Sequence, residues 1–91
     1  VSITQPTEYG TCYSLDEIKA LREFTLKNNL FLHVDGARLI YAAHHNECDL
    51  LTLTEKSGAD AISFGGTKNG LLFGELALIY HPTAKKAFRY I

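Results

Sequence analysis

Methionine is missing from this chain, and cysteine occurs only twice among its 91 residues. Cys12 and Cys48 stand outside any CxxC pair or repeated spacing. Neither a disulfide framework nor a structural zinc site is therefore expected, and both read as free thiols. With no methionine and a strand-like opening at Val1, the chain reads as an excerpt of a longer protein. Long apolar runs are also lacking. The longest, residues 30–32 and 76–80, fall far short of the roughly 20 residues that cross a bilayer. No basic segment followed by an apolar one opens the chain, so a cytoplasmic protein with no membrane partner is expected. A formal net charge of -1 leaves no basic surplus for a nucleic-acid partner. Internal repeats, low-complexity tracts and linkers are absent as well.

What remains is an ordinary globular composition. With 46% hydrophobic and 21% charged residues, the chain is neither disordered nor collagen-like, and its length allows one domain or part of one. Residues 1–5 read as a strand that Pro6 and Gly10 end. A helix follows, because Ser14 and Glu17 fit a capping box and Leu15, Ile18, Leu21 and Phe24 recur at helical spacing as far as Asn28 and Asn29. Residues 30–35 form a second strand, apolar at its first three positions, the pattern of a strand buried on both faces. Gly36 breaks it. Helices are predicted over residues 37–46 and 50–57, strands over 59–64 and 75–80, and a last helix beginning at Pro82 and Thr83. Strands alternating with helices make an α/β fold, whose sites lie beyond the carboxyl ends of the parallel strands. Asp35 and Lys68 both fall there.

Strand alternation puts His33 and Asp35 on one side and Val34 on the other. By position alone, Asp35 reads better as a cap for the following helix, since Asp is a common helix cap. Lys68 lies in a glycine-rich loop at residues 65–70, and the flanking glycines let backbone approach a ligand closely. A solvated loop lysine is the plainer alternative. The loop is not a phosphate-cradling P-loop, because Thr67 precedes Lys68 and Asn69 follows it, and Gly65, Gly66 and Gly70 do not make a GxGxxG. His44, His45 and Cys48 share one short helix, and three potential ligands there more often face solvent than bind metal, so no metal is expected.

The segments FLHVDGARL (31–39) and SFGGTKNG (63–70), in that order, closely resemble the threonine aldolase and β-eliminating lyase family of fold-type I enzymes that use pyridoxal 5'-phosphate (PLP). The resemblance runs through essentially the whole chain. QPTEYGT (5–11) and the SLDE helix start (14–17) resemble its low-specificity and phenylserine-type branch, whereas the better-known branch carries a Thr-His-Asn run after the equivalent strand. The resemblance implies a single fragment, 1–91, of the cofactor-binding large domain. It implies a partial PLP-transferase-like sheet of three parallel strands and one antiparallel strand, with helices mainly on one face. It makes Lys68 the Schiff-base lysine and Asp35 the carboxylate that keeps the pyridine nitrogen protonated, a charged form that a nearby carboxylate favours.

Ala37, otherwise a good helix former, would pack under the cofactor ring. Arg38, otherwise a surface helix arginine, would help to hold the substrate carboxylate, a task suited to a planar bidentate donor. His33 would orient Asp35 through a hydrogen bond. The implied partner is a small amino-acid substrate, and the implied assembly a homo-oligomer. The implied reaction is retro-aldol cleavage of a threonine-like β-hydroxy-α-amino acid to glycine and an aldehyde. β-Elimination or transamination on the same scaffold, or a non-catalytic structural fragment, are the alternatives. The implied phosphate-binding loop, ring-stacking histidine and second arginine belong to segments outside these residues.

Overall fold

The computed structural model of the chain describes residues 1–88. In chain order it contains β1 (Ser2–Thr4), α1 (Leu15–Lys27), β2 (His33–Gly36), α2 (Leu39–His45), α3 (Leu50–Lys56), β3 (Ala61–Gly65), a 3-10 turn (Thr67–Asn69), β4 (Glu75–Ile79) and α4 (Pro82–Phe88). The strands form one sheet in the order β1-β2-β3-β4. The first three are parallel and β4 runs antiparallel to β3. This is the α/β architecture expected from the sequence.

Two parallel crossovers stepping in one direction are right-handed, so their helices lie on one face of the sheet. The burial pattern agrees. Ile3, Val34 and Ile62 point from the three parallel strands into the same core as Ile18 of α1, Leu39, Ala42 and Ala43 of α2, and Leu53 of α3. The register lines the opposite face with two rows: Ser2, His33, Ala61 and Ile79, then Thr4, Asp35, Ser63 and Ala77. That face is largely polar or small. Among the described residues, no helix is long and apolar enough to cross a membrane.

Helix α1 starts where its sequence says it should. Ser14 Oγ accepts the Glu17 N–H at 3.2 Å, and Glu17 accepts the Ser14 N–H at 2.8 Å, together satisfying two orphan donors of the first turn. Its buried residues are Ile18 and Thr25, while Phe24 is exposed. The predicted stripe holds for Leu15, Ile18 and Leu21, which pack on the core, and fails at Phe24, while Arg22 reaches in to Asp60. At the other end, Asn29 takes a left-handed conformation with φ 53, and the Leu30 N–H returns to the Thr25 carbonyl at 2.8 Å.

That helix ending changes the second strand. Residues 30–32 do not belong to β2, and only Leu32 of the three is buried; Leu30 and Phe31 are 44% and 62% exposed. Leu30 is still engaged in the α1 terminus. The Phe31 ring instead meets the edge of His81, with 4.8 Å between centroids.

At the amino ends of β2 and β3, Asp60 ties the layers together. It is 7% exposed and receives the Leu32 N–H at 2.8 Å and Arg22 Nη1 of α1 at 2.7 Å. Its main-chain carbonyl takes the Tyr80 and His81 N–H groups. Burial pushes the carboxyl upward, but the Leu32 N–H and the Arg22 guanidinium outweigh that, with His81 adding a little, and hold it below the usual carboxylate range. A carboxylate with a depressed native pKa stabilises the fold at any pH above its unfolded value of about 3.9, and that stability is lost as pH falls through the native value. In the full-length protein, Asp60→Asn leaves a mostly buried guanidinium without its countercharge and should cost about 3 kcal/mol in urea unfolding at neutral pH. The gap between the variant and the parent should close as pH falls below about 4; a gap that stayed constant would rule out this pair as its origin.

Candidate functional site

Asp35 sits one residue from the end of β2, with its Cα paired to Thr4 on one side and to Ser63 on the other. Its carbonyl accepts the Gln5 N–H at 2.9 Å. Its side chain does not cap a helix, since α2 begins at Leu39 with Arg38 as its capping residue. Instead Oδ1 accepts the Ala37 N–H at 3.0 Å and closes a tight turn just after the strand. This turn is also why the helix predicted from residue 37 starts two residues later: Arg38 has φ -127 and ψ 32, outside the helical region. The second carboxylate oxygen makes no hydrogen bond among the described residues.

The ends of β2 and β3 approach very closely. A Cβ placed on Gly36 would lie 2.8 Å from the Ser63 carbonyl oxygen, and one on Gly65 would lie 3.2 Å from both Cα and O of Ala37. Ala37, half-buried, is therefore seated directly against the strand that leads to Lys68. Beyond Gly65 the chain enters the 3-10 turn that carries Lys68, which is exposed. The loop is closed on itself, with Gly66 N–H donating to the Gly74 carbonyl at 2.8 Å and Leu71 N–H to the Gly66 carbonyl at 3.0 Å. Gly70 and Gly74 have φ of 98 and 147, which side chains rarely adopt. The glycines shape the lysine's turn.

His33 shares Asp35's face, yet its hydrogen bonds run across strands instead of along its own. Nδ1 meets Ser2 Oγ at 2.8 Å and Nε2 meets Ser63 Oγ at 3.3 Å. The expected hydrogen bond to Asp35 is not made, because side chains two apart on a strand are about 7 Å apart while those on neighbouring strands are closer. Ser63, opposite Asp35, carries the link between the two rows. Sequence reading missed Ser2 and Ser63, since their partner depends on register.

Arg38 is 29% exposed, and its Nη2 lies 3.6 Å from Glu8 Oε1 in the loop after β1. That loop is fastened at its base by Gln5, which is fully buried and bonds both polar groups of the Tyr13 backbone, Nε2 to the carbonyl at 2.8 Å and Oε1 to the N–H at 2.9 Å. The Cys12 thiol is pushed up by burial, so it stays neutral. Among the described residues, no group of three His, Cys, Asp or Glu side chains could hold a metal ion.

Comparison with known proteins places the chain in a family. Residues 1–88 match the family model for β-eliminating lyases. The chain is 41% identical over 90 residues to the low specificity L-threonine aldolase of Pseudomonas aeruginosa, and 42% identical over 90 residues to that of another Pseudomonas strain. In each case 99% of this chain is covered, and it spans 26% of the relative's length. A solved structure of Leishmania major threonine aldolase superposes with a TM-score of 0.78 at 30% identity, covering 99% of this chain and 28% of that one.

The contact between Gly36 and Ser63 offers a test of how the site is built. Gly36→Ala would push a methyl into main chain, which can yield only by separating β2 from β3. A loss of about 1–3 kcal/mol is expected in chemical unfolding of the full-length protein. Unchanged stability would show that the two strand ends have slack.

Proposed function

Because this chain belongs to the β-eliminating lyase family, we propose that the protein containing it is a PLP-dependent lyase that cleaves a β-hydroxy-α-amino acid of the threonine type to glycine and an aldehyde. The observation that carries the reading is the pairing of Asp35 with Ser63 at the carboxyl ends of β2 and β3, with one Asp35 oxygen held by the Ala37 N–H and Lys68 on the turn that β3 leads into. A planar cationic heterocycle fits this donor set. Asp35 offers an oxygen that makes no hydrogen bond among the described residues, Ala37 ends at Cβ so that the turn stays low, and Lys68 is exposed.

Bound here, PLP supplies a sink for the electron pair left on Cα when the Cα–Cβ bond breaks. The residues of this chain do the rest. Lys68 anchors the cofactor's aldehyde carbon. Asp35 holds a proton on the pyridine nitrogen, and each pKa unit by which it favours that charge is worth about 1.4 kcal/mol. Arg38 takes the substrate's carboxylate through paired N–H donors and so orients the bond to be broken. His33, locked between Ser2 and Ser63, keeps the floor of the site rigid beside Asp35.

Asp35→Asn keeps an oxygen for the Ala37 N–H but loses the charge. The full-length variant should fold normally and turn over about 100- to 1000-fold more slowly. Near-normal turnover would reduce Asp35 to a turn-former. In the same assay the parent protein should give glycine plus an aldehyde; a keto acid plus ammonia would point to β-elimination.

A further inference from the structure

Glu8 has no part in the fold that its neighbours do not already play. The loop at residues 6–13 is held by the Gln5 amide on Tyr13, by the Thr7 N–H on the Thr11 carbonyl at 2.9 Å, and by the Gly10 N–H on the Thr7 carbonyl at 3.0 Å. Glu8 rides on this pinned loop, 79% exposed, and places its carboxylate 3.6 Å from Arg38. That distance exceeds a hydrogen bond, so the contact is an ion pair alone. A strap meant to fasten the loop to α2 would be short and shielded, and this one is neither.

We propose that Glu8 is a built-in competitor for the amino acid's α-carboxylate: it partners Arg38 until a substrate carboxylate displaces it, and so sets how much affinity the site draws from that carboxylate. The inference rests on the assignment of Arg38 above. A free amino acid can place two carboxylate oxygens on one guanidinium in parallel N–H bonds, which the Glu8 contact does not achieve. The incoming carboxylate therefore wins, and the displaced Glu8 side chain, already largely in water, is released without burying a charge. An amine lacking the carboxylate leaves the pair intact. Glu8 thus lowers the affinity of carboxylate-bearing ligands alone, by what an exposed ion pair is worth, up to about fivefold.

Glycine and glycinamide separate this from other roles, since neither has a Cα–Cβ bond to break and only glycine has the carboxylate. Each is titrated calorimetrically into the full-length, cofactor-loaded protein and its Glu8→Gln variant. The glycine Kd should fall by up to about fivefold in the variant and the glycinamide Kd should stay put, with the glycine difference shrinking in high salt. An unchanged or weakened glycine Kd, or an equal shift for both ligands, overturns the competitor role. Arg38→Lys is the control for the premise. If it leaves glycine binding intact, the Arg38 assignment fails and takes this inference with it; if it weakens glycine while Glu8→Gln does nothing, only the inference falls. A glycine-selective shift in a protein that makes no glycine from threonine would retain the competitor and reject the reaction.

Discussion

The carboxyl ends of β2 and β3 meet backbone to backbone, Gly36 against the Ser63 carbonyl and Gly65 against Ala37, and that contact sets how the turn after β2 lies against the strand before Lys68. A side chain at Gly36 would press on the Ser63 carbonyl and hold the strands apart, and one at Gly65 would crowd Ala37. With both absent, the turn closed by Asp35 lies against the strand that delivers Lys68, and two residues 33 positions apart in sequence reach the same end of one sheet. The proximity is a property of main chain, so the side chains on top are free to be chosen for chemistry. Asp35 gives one carboxylate oxygen to its own turn, accepting the Ala37 N–H.

The opposite end of the sheet is organised by different means. There Asp60 gathers a main-chain N–H, a guanidinium and, through its carbonyl, the start of the segment after β4. A mostly buried carboxylate with such partners is costly to disturb, whereas the loop partners near Arg38 are exposed and loosely paired. Rigidity at the amino ends and adaptable charge at the carboxyl ends is the division an α/β site needs, because ligands bind at the carboxyl ends.

Much of this was legible in the sequence, for reasons that are local. The capping box at Ser14 and Glu17 acts within one turn of helix and so appears directly in the residue order. The alternation around Val34 and the two glycine-bearing motifs likewise named the strand ends and the residues on them. What escaped depends on distant partners. The start of β2 was placed too early because Leu30 looks like strand but is held by the end of α1. Phe24 continues the helical spacing of Leu15, Ile18 and Leu21 but is exposed, because spacing does not show that Arg22 turns inward to reach Asp60. Ser2 and Ser63 were passed over because only strand register brings them to His33. Glu8 was invisible for the same reason, since nothing near it in sequence announces Arg38.

The central claim is that Lys68, carried by the turn after β3, is the point of cofactor attachment. Incubating the full-length protein with PLP, reducing with borohydride and mapping the modified peptide by mass spectrometry tests it directly. A stoichiometric pyridoxyl group on Lys68 is the predicted result. A reduced adduct on another lysine, with Lys68 unmodified, would contradict the account.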